Sequence, residues 1–186
     1  MLTDRFRDAL VYAFDLHREQ RRKVSGVPYV AHLLGVAGIA LEHGATQDEA
    51  IAALLHDAIE DQGGAATGEA IRRGFGDAVA DIVVGCTDAF TTPKPPWRQR
   101  KQDYIARLEE QPASVRLISA ADKVYNARSI LADHRQCGEE VWQRFNGGRE
   151  GTLWYYRSLV GVYRRRGPAA LAEELDRLTC EMEGLL

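Results

Sequence analysis

A single all-α domain spanning residues 1–186 is what the sequence predicts, and three observations carry that expectation. Apolar residues recur every three or four positions through most of the chain. No segment sustains the period-two alternation of a half-buried strand. Glycine and proline pairs, as at Gly63-Gly64 and Pro95-Pro96, cut the helical stretches into lengths usual for globular proteins. At 186 residues the chain is long enough to bury a core without disulfide or metal staples.

The elements follow in order. Phe6, Leu10, Val11, Phe14 and Leu16 give residues 4–19 a helical apolar face, with Thr3 placed to cap it. Residues 21–28 are a basic turn broken by Gly26 and Pro28. A second helix runs from about residue 29 to 42 and stops near Gly44. Thr46 with Glu49 three residues on forms a capping box, opening a third helix through the run from Ile51 to Ile59. Gly63-Gly64 ends it. Shorter helices are expected at 67–74 and 77–86. The stretch from Thr91 to Pro96 holds three prolines and is read as a loop. Helices then cover 98–110, 114–132, 139–145, 150–166 and 168–184.

Composition removes several function classes. Lys plus Arg number 24 against 27 Asp plus Glu, a net charge of −3 that argues against non-specific nucleic-acid binding. No apolar run approaches the roughly 20 residues of a membrane-spanning helix. Met1-Leu2-Thr3-Asp4-Arg5 shows no basic-then-apolar signal segment, so a cytoplasmic protein is expected. Cys86, Cys137 and Cys180 are odd in number and widely spaced, as free thiols in a reducing compartment would be.

Four polar residues interrupt otherwise apolar helical stretches: His32, the pair His56-Asp57, and Asp122. A carboxylate beside such a core needs a partner, because burying it alone is costly. One divalent cation held by two imidazoles and two carboxylates would satisfy all four. That mixed nitrogen and oxygen set suits Mn²⁺, Fe²⁺ or another borderline ion better than Ca²⁺. Each residue alone could equally be a satisfied core residue. His43 lies eleven residues after His32, roughly 16 Å along a helix axis. His43, His134 and His17 are therefore read as surface or structural, leaving a single metal site.

The residues around these four resemble a known family. Lys23-Val24-Ser25-Gly26-Val27-Pro28-Tyr29-Val30-Ala31-His32 is similar to the RKSGEPYxxH segment of RelA/SpoT-homologue hydrolase domains, a branch of the HD phosphohydrolase superfamily. Leu54-Leu55-His56-Asp57-Ala58-Ile59-Glu60-Asp61 resembles their LLHDxxED motif, and Ala121-Asp122-Lys123-Val124-Tyr125-Asn126-Ala127-Arg128 their ADKLYNxR motif. The chain departs from the pattern at Leu33, usually proline, at Gln62-Gly63-Gly64 after the acidic pair, and in the proline loop. The similarity extends over nearly the whole chain, with no room for a synthetase domain. It implies an HD-domain helical bundle around one metal site, of the stand-alone small alarmone hydrolase kind. The implied reaction is Mn²⁺-dependent removal of the 3′-pyrophosphate of (p)ppGpp or pGpp.

Chemistry can then be assigned to residues. Glu60 and Asp61 follow His56 and Asp57 by four positions, so a continuous helix would bring both carboxylates to the metal. There they would orient water, accept its proton or assist the leaving oxygen. Two acidic residues at a helix C-terminus oppose its dipole, an unfavourable placement unless a cation is near. Arg100 and Lys101 are candidates for gripping phosphate. The resemblance places Arg22 or Lys23 against the purine with Ser25 nearby, and adds Asn126, Tyr125 and Arg128 as nucleotide contacts. Tyr155 and Tyr156 read as core, with substrate contact as the alternative. The same site could serve a phosphatase acting on NADPH or another adenine nucleotide. A catalytically idle nucleotide sensor or antitoxin is the reading from a different class. The expected partner is a small nucleotide, with neither nucleic acid nor membrane, and monomer and homo-oligomer are both left open.

Overall fold

Thr3 and Thr46 open helices as their spacing predicts. In the computed structural model, which describes residues 1–88 and 93–185, α1 (Asp4–His17) begins with the Thr3 hydroxyl accepting from the Arg5 amide. The capping box of Thr46 and Glu49 is complete in both directions at the start of α3 (Gln47–Leu55). Between them the basic turn closes on itself. The Arg22 amide donates to the Val27 carbonyl at 2.9 Å and the Gly26 amide to Arg22 at 3.0 Å. Gly26 takes a φ of +69°, which a residue without a Cβ adopts freely. α2 (Val30–Glu42) follows directly.

The third helix differs from expectation. It breaks at His56-Asp57 and resumes as the single turn α4 (Ala58–Asp61). The Ala53 carbonyl, which an unbroken helix would offer to the Asp57 amide, faces His56 Nδ1 at 2.8 Å. A side chain that takes a backbone partner competes with the helical ladder, and the ladder stops there.

The remaining helices are α5 (Ala65–Phe75), α6 (Asp77–Cys86), α7 (Trp97–Leu108), the 25-residue α8 (Ala113–Cys137), α9 (Gly148–Arg166) and α10 (Ala169–Glu183). Residues 139–145, expected as α-helix, form a 3₁₀ segment over Gly138–Arg144. Thr91 and Thr92 of the proline loop lie outside the described residues. No strand occurs among the described residues, and Arg21 and Pro28 form an isolated bridge. Among them, too, no helix is long and apolar enough to cross a membrane.

α3 is the centre of the bundle. Its last six residues, from Ala50 to Leu55, are all buried, and α1, α2, α6 and α8 pack around it. α9 and α10 form a hairpin against α8, and α7 lies on α9. Three elements therefore end their buried faces at one place: the start of α2, the break after α3 and the middle of α8.

Close packing fixes α2 against α8. A Cβ on Gly35 would stand 2.0 Å from Tyr125 Cε2, whereas one on Gly38 would meet nothing within 4 Å. Gly38→Ala is expected to stabilise the protein by up to ~1 kcal/mol through helix propensity. Gly35→Ala gains the same propensity but must displace a packed ring, and is expected to lose about 1–3 kcal/mol. Urea-unfolding midpoints of the two variants provide the comparison, and equal shifts of the same sign would contradict this packing.

Candidate functional site

The four residues singled out in the sequence converge. His32 projects from the first turn of α2, His56 and Asp57 from the break after α3, and Asp122 from α8. His32 Nε2 lies 3.2 Å from His56 Nε2 and 3.3 Å from both Asp57 Oδ2 and Asp122 Oδ1. His56 Nε2 is 3.1 Å from Asp57 Oδ2 and 3.6 Å from Asp122 Oδ1.

This donor set fits a divalent ion. Nitrogen and oxygen ligands held 2.0–2.2 Å from one ion lie about 3–3.5 Å from each other. His56 donates from Nδ1 to the Ala53 carbonyl, which turns its Nε2 towards the cluster. Burial pushes the Asp57 carboxyl up, but His56 and His32 outweigh it and hold it well below the usual range. Burial likewise raises Asp122, and Lys123 with the two histidines overcomes it. Both carboxylates are thus ready as charged ligands. His32, His56 and Asp57 form a candidate metal-binding cluster, and Asp122 Oδ1 lies beside it, 3.3 Å from His32 Nε2.

A cleft of about 540 Å³ opens over this cluster. Glu60 and Asp61 both line it, although they stand on the separate turn α4 rather than on a continuation of α3. Glu60 Oε1 accepts from Lys94 at 2.7 Å and lies 4.0 Å from Arg100 Nη1. Burial and then the neighbouring Asp88 raise its pKa, against the pull of Lys94. Asp61 Oδ2 accepts from Gln20 at 2.8 Å.

The expected nucleotide-binding residues divide into three groups. Arg22 and Lys23 line the cleft, and Arg22 donates to Asn126 Oδ1 at 2.7 Å while lying over the Tyr29 and Tyr125 rings. Asn126 also lines it, and its amide nitrogen donates to Asp122, so it links a candidate ligand to a cation. Arg100 and Lys101 reach the cleft already paired, at 2.8 and 2.5 Å from the two oxygens of Asp88. The others are not brought to the lining: Ser25 is exposed on the basic turn, and Tyr125 packs edge-on against His32. Arg128 turns to Glu174 on α10, because its position on α8 faces the α9–α10 hairpin rather than the cleft. Tyr155 and Tyr156 are buried, as the core reading expects, and both border the cleft. Of the histidines set aside, His17 is buried, while His43 bonds the Ile39 carbonyl and His134 bonds Glu139.

Several contributors were not singled out from the sequence. Tyr29 donates to Asp57 Oδ2 at 2.6 Å, and Lys123 pairs with Asp122. Burial lowers the Lys123 ammonium, but Asp122 outweighs it and holds the group well above the usual lysine range. Both residues lie inside the quoted motifs, so a signal existed. Asp88 and Lys94 had none, since their roles arise from partners distant in sequence. Cys86 borders the cleft too, but burial pushes its thiol up to about 12, which leaves no thiolate nucleophile at neutral pH.

Asp88 yields a pH test. Burial pushes its carboxyl up, but Lys101 and Arg100 hold it down at about 2, below the unfolded value of about 3.9. A group with a depressed folded pKa stabilises the fold above its unfolded pKa and ceases to do so as pH falls through the folded one. Asp88→Asn is therefore expected to be less stable than wild type at pH 6 by about 2 kcal/mol. The gap should narrow as pH falls from about 5 towards 2. Urea midpoints across that range are the check, and a gap independent of pH would refute it.

Comparison with known proteins agrees with the geometry. The HD domain family profile matches residues 9–153. The zebrafish (Danio rerio) guanosine-3′,5′-bis(diphosphate) 3′-pyrophosphohydrolase MESH1 is 34% identical over 173 residues, covering 91% of this chain and 89% of that protein. Among solved structures, a metazoan ortholog of SpoT, described as hydrolysing ppGpp, superposes with a TM-score of 0.79 at 27% identity over 100% of this chain and 99% of its own. A Listeria monocytogenes EGD-e protein gives 0.72 at 30% identity over 81% of this chain and 97% of its own. The chain belongs to the HD domain family, in its RelA/SpoT-homologue hydrolase branch.

Proposed function

We propose that this protein removes the 3′-pyrophosphate of the guanosine tetra- and pentaphosphate alarmones (p)ppGpp, and of the related pGpp, in a metal-dependent hydrolysis that releases pyrophosphate. One observation carries the reading: the buried His32, His56 and Asp122 and the partly exposed Asp57 bring nitrogen and oxygen donors together at the floor of a cleft whose rim holds two carboxylates and a set of cations. Relatives whose names state this reaction match over most of the chain. His32, His56, Asp57 and Asp122 would hold one ion, with Mn²⁺ the best match to two imidazoles and two carboxylates. When bound, the ion supplies Lewis-acid charge at the phosphoryl oxygens and lowers the pKa of the attacking water.

The protein's own groups do the rest. Water attacks the phosphorus bonded to the 3′-oxygen, the P–O3′ bond breaks, and the oxygen leaves as a hydroxyl. Glu60 and Asp61 act together on this proton traffic. The raised pKa of Glu60 suits a carboxyl that can carry a proton to the leaving oxygen, and Asp61 orients the water. Arg22 and Lys23 neutralise phosphate charge at the basic turn. Tyr29 and Asn126 donate to the ring-facing oxygens of Asp57 and Asp122 and so orient both carboxylates, as outer partners of metal ligands do. Three free cysteines accord with a reducing cytoplasm.

A nucleotide panel of ppGpp, pGpp and NADPH with Mn²⁺, resolving pyrophosphate from phosphate, tests the reading. Pyrophosphate from the guanosine substrates is expected, and phosphate from NADPH alone would replace it with the adenine-nucleotide alternative. Asp122→Ala should abolish tight metal binding, measured by elemental analysis, and full occupancy would remove Asp122 from the ligand set. Glu60→Gln and Asp61→Asn should retain the fold and slow turnover by about a hundredfold or more, the usual worth of general acid–base assistance.

A further inference from the structure

Beside the metal site, α1 carries a polar chain that touches neither the cations of the cleft nor the metal-facing donor atoms. His17, at the end of α1, is 1% exposed, and its ring stacks on Tyr29 with centroids 5.3 Å apart. Its Nδ1 lies 2.6 Å from Gln20 Oε1. The same oxygen accepts from Gln62 Nε2 at 2.6 Å, and Gln20 Nε2 donates to Asp61 Oδ2 at 2.8 Å.

The directions of these bonds determine each other. An ionised carboxylate only accepts, so the end of Gln20 facing Asp61 has to be its NH₂. Its oxygen then faces two neighbours that must both donate, which puts a proton on His17 Nδ1. His17 Nε2 is left buried without a partner, a cost that folded proteins carry at few places. With Nδ1 bare, two lone pairs would oppose each other and favour turning the Gln20 amide round, its oxygen towards Asp61. Gln62 reaches this chain where the backbone reverses after α4. Gly63 and Gly64 there take φ of +123° and +62°, and Thr67 Oγ1 donates to the Gln62 carbonyl at 2.7 Å.

We propose that Gln20 is a positioning residue for Asp61, with His17 and Gln62 setting the orientation of its amide, a role that rests on the part proposed above for Asp61 in the hydrolysis. Asp61 is an exposed residue at the end of a four-residue helix, where its side chain would otherwise rotate. A directed hydrogen bond from the chain just after α1 selects one rotamer and engages Oδ2, leaving Oδ1 to face the water.

The test is ppGpp turnover with Mn²⁺, with metal content and thermal midpoint measured alongside. Gln20→Ala should lower kcat about ten- to a hundredfold, the scale on which misplacing a reacting group costs rate, with KM and metal content unchanged. In the Asp61→Asn background the same change should cost nothing further, because residues acting through one another are not additive. His17→Leu should follow Gln20→Ala, and His17→Asn, whose amide offers a donor where Nδ1 stands, should recover most of the loss. Wild-type turnover in Gln20→Ala alongside a slow Asp61→Asn overturns the proposal while leaving the role of Asp61 intact. Losses that multiply in the double variant overturn it as well. Wild-type turnover in Asp61→Asn removes the role of Asp61, and this proposal with it.

Discussion

Two ionised carboxylates set into an apolar helical core are the constraint on which the rest of this structure depends. Asp57 and Asp122 meet the rings of His32 and His56 where three helical elements end their buried faces. Buried charge is tolerable only when it is paired and hydrogen-bonded. The break in the third helix, the close approach of α2 to α8 at Gly35, and the part-buried ammonium of Lys123 all serve that pairing. A bundle of this size could close its core with apolar residues alone. It spends part of that core instead on a ring of imidazoles and carboxylates whose members are held by one another and by Tyr29, Lys123 and Asn126.

Charge in the cleft is balanced locally before any nucleotide arrives. Asp88 neutralises Arg100 and Lys101, Glu60 takes Lys94, and Arg22 is bound to Asn126. Such pairing keeps clustered cations from repelling one another and holds long side chains in fixed geometry. The shielded pairs at Asp88 keep their geometry better than the more exposed Lys94–Glu60 pair, which salt screens and solvent loosens.

Much of the fold was legible in the sequence because its signals are local. The capping residues Thr3 and Thr46, the stop at Gly63-Gly64 and the helix over 77–86 depend on neighbours within a few positions. The break at His56-Asp57 was not legible: apolar periodicity runs through it, and only the ring of His56 turning onto the Ala53 carbonyl interrupts the ladder. The 3₁₀ geometry of residues 138–144 was missed for a related reason, since its periodicity differs little from that of an α-helix over two turns.

The sequence by itself determined the helical class and the boundaries of most elements, because those signals are local, and the resemblance of three motifs around His32, His56-Asp57 and Asp122 implied the kind of chemistry. Only the tertiary structure decided which polar groups act together. Arg100 and Lys101 look like free phosphate grips until Asp88 is found between them, and Arg128 looks like a nucleotide contact until it meets Glu174 on α10. Gln20 carries no signal at all, yet it bonds Asp61 across 41 residues of chain. The reason is physical. Periodicity and capping are properties of a short segment, whereas the direction of a hydrogen bond and the neutralisation of a charge are set by distances of about 3 Å that only the packed helices fix.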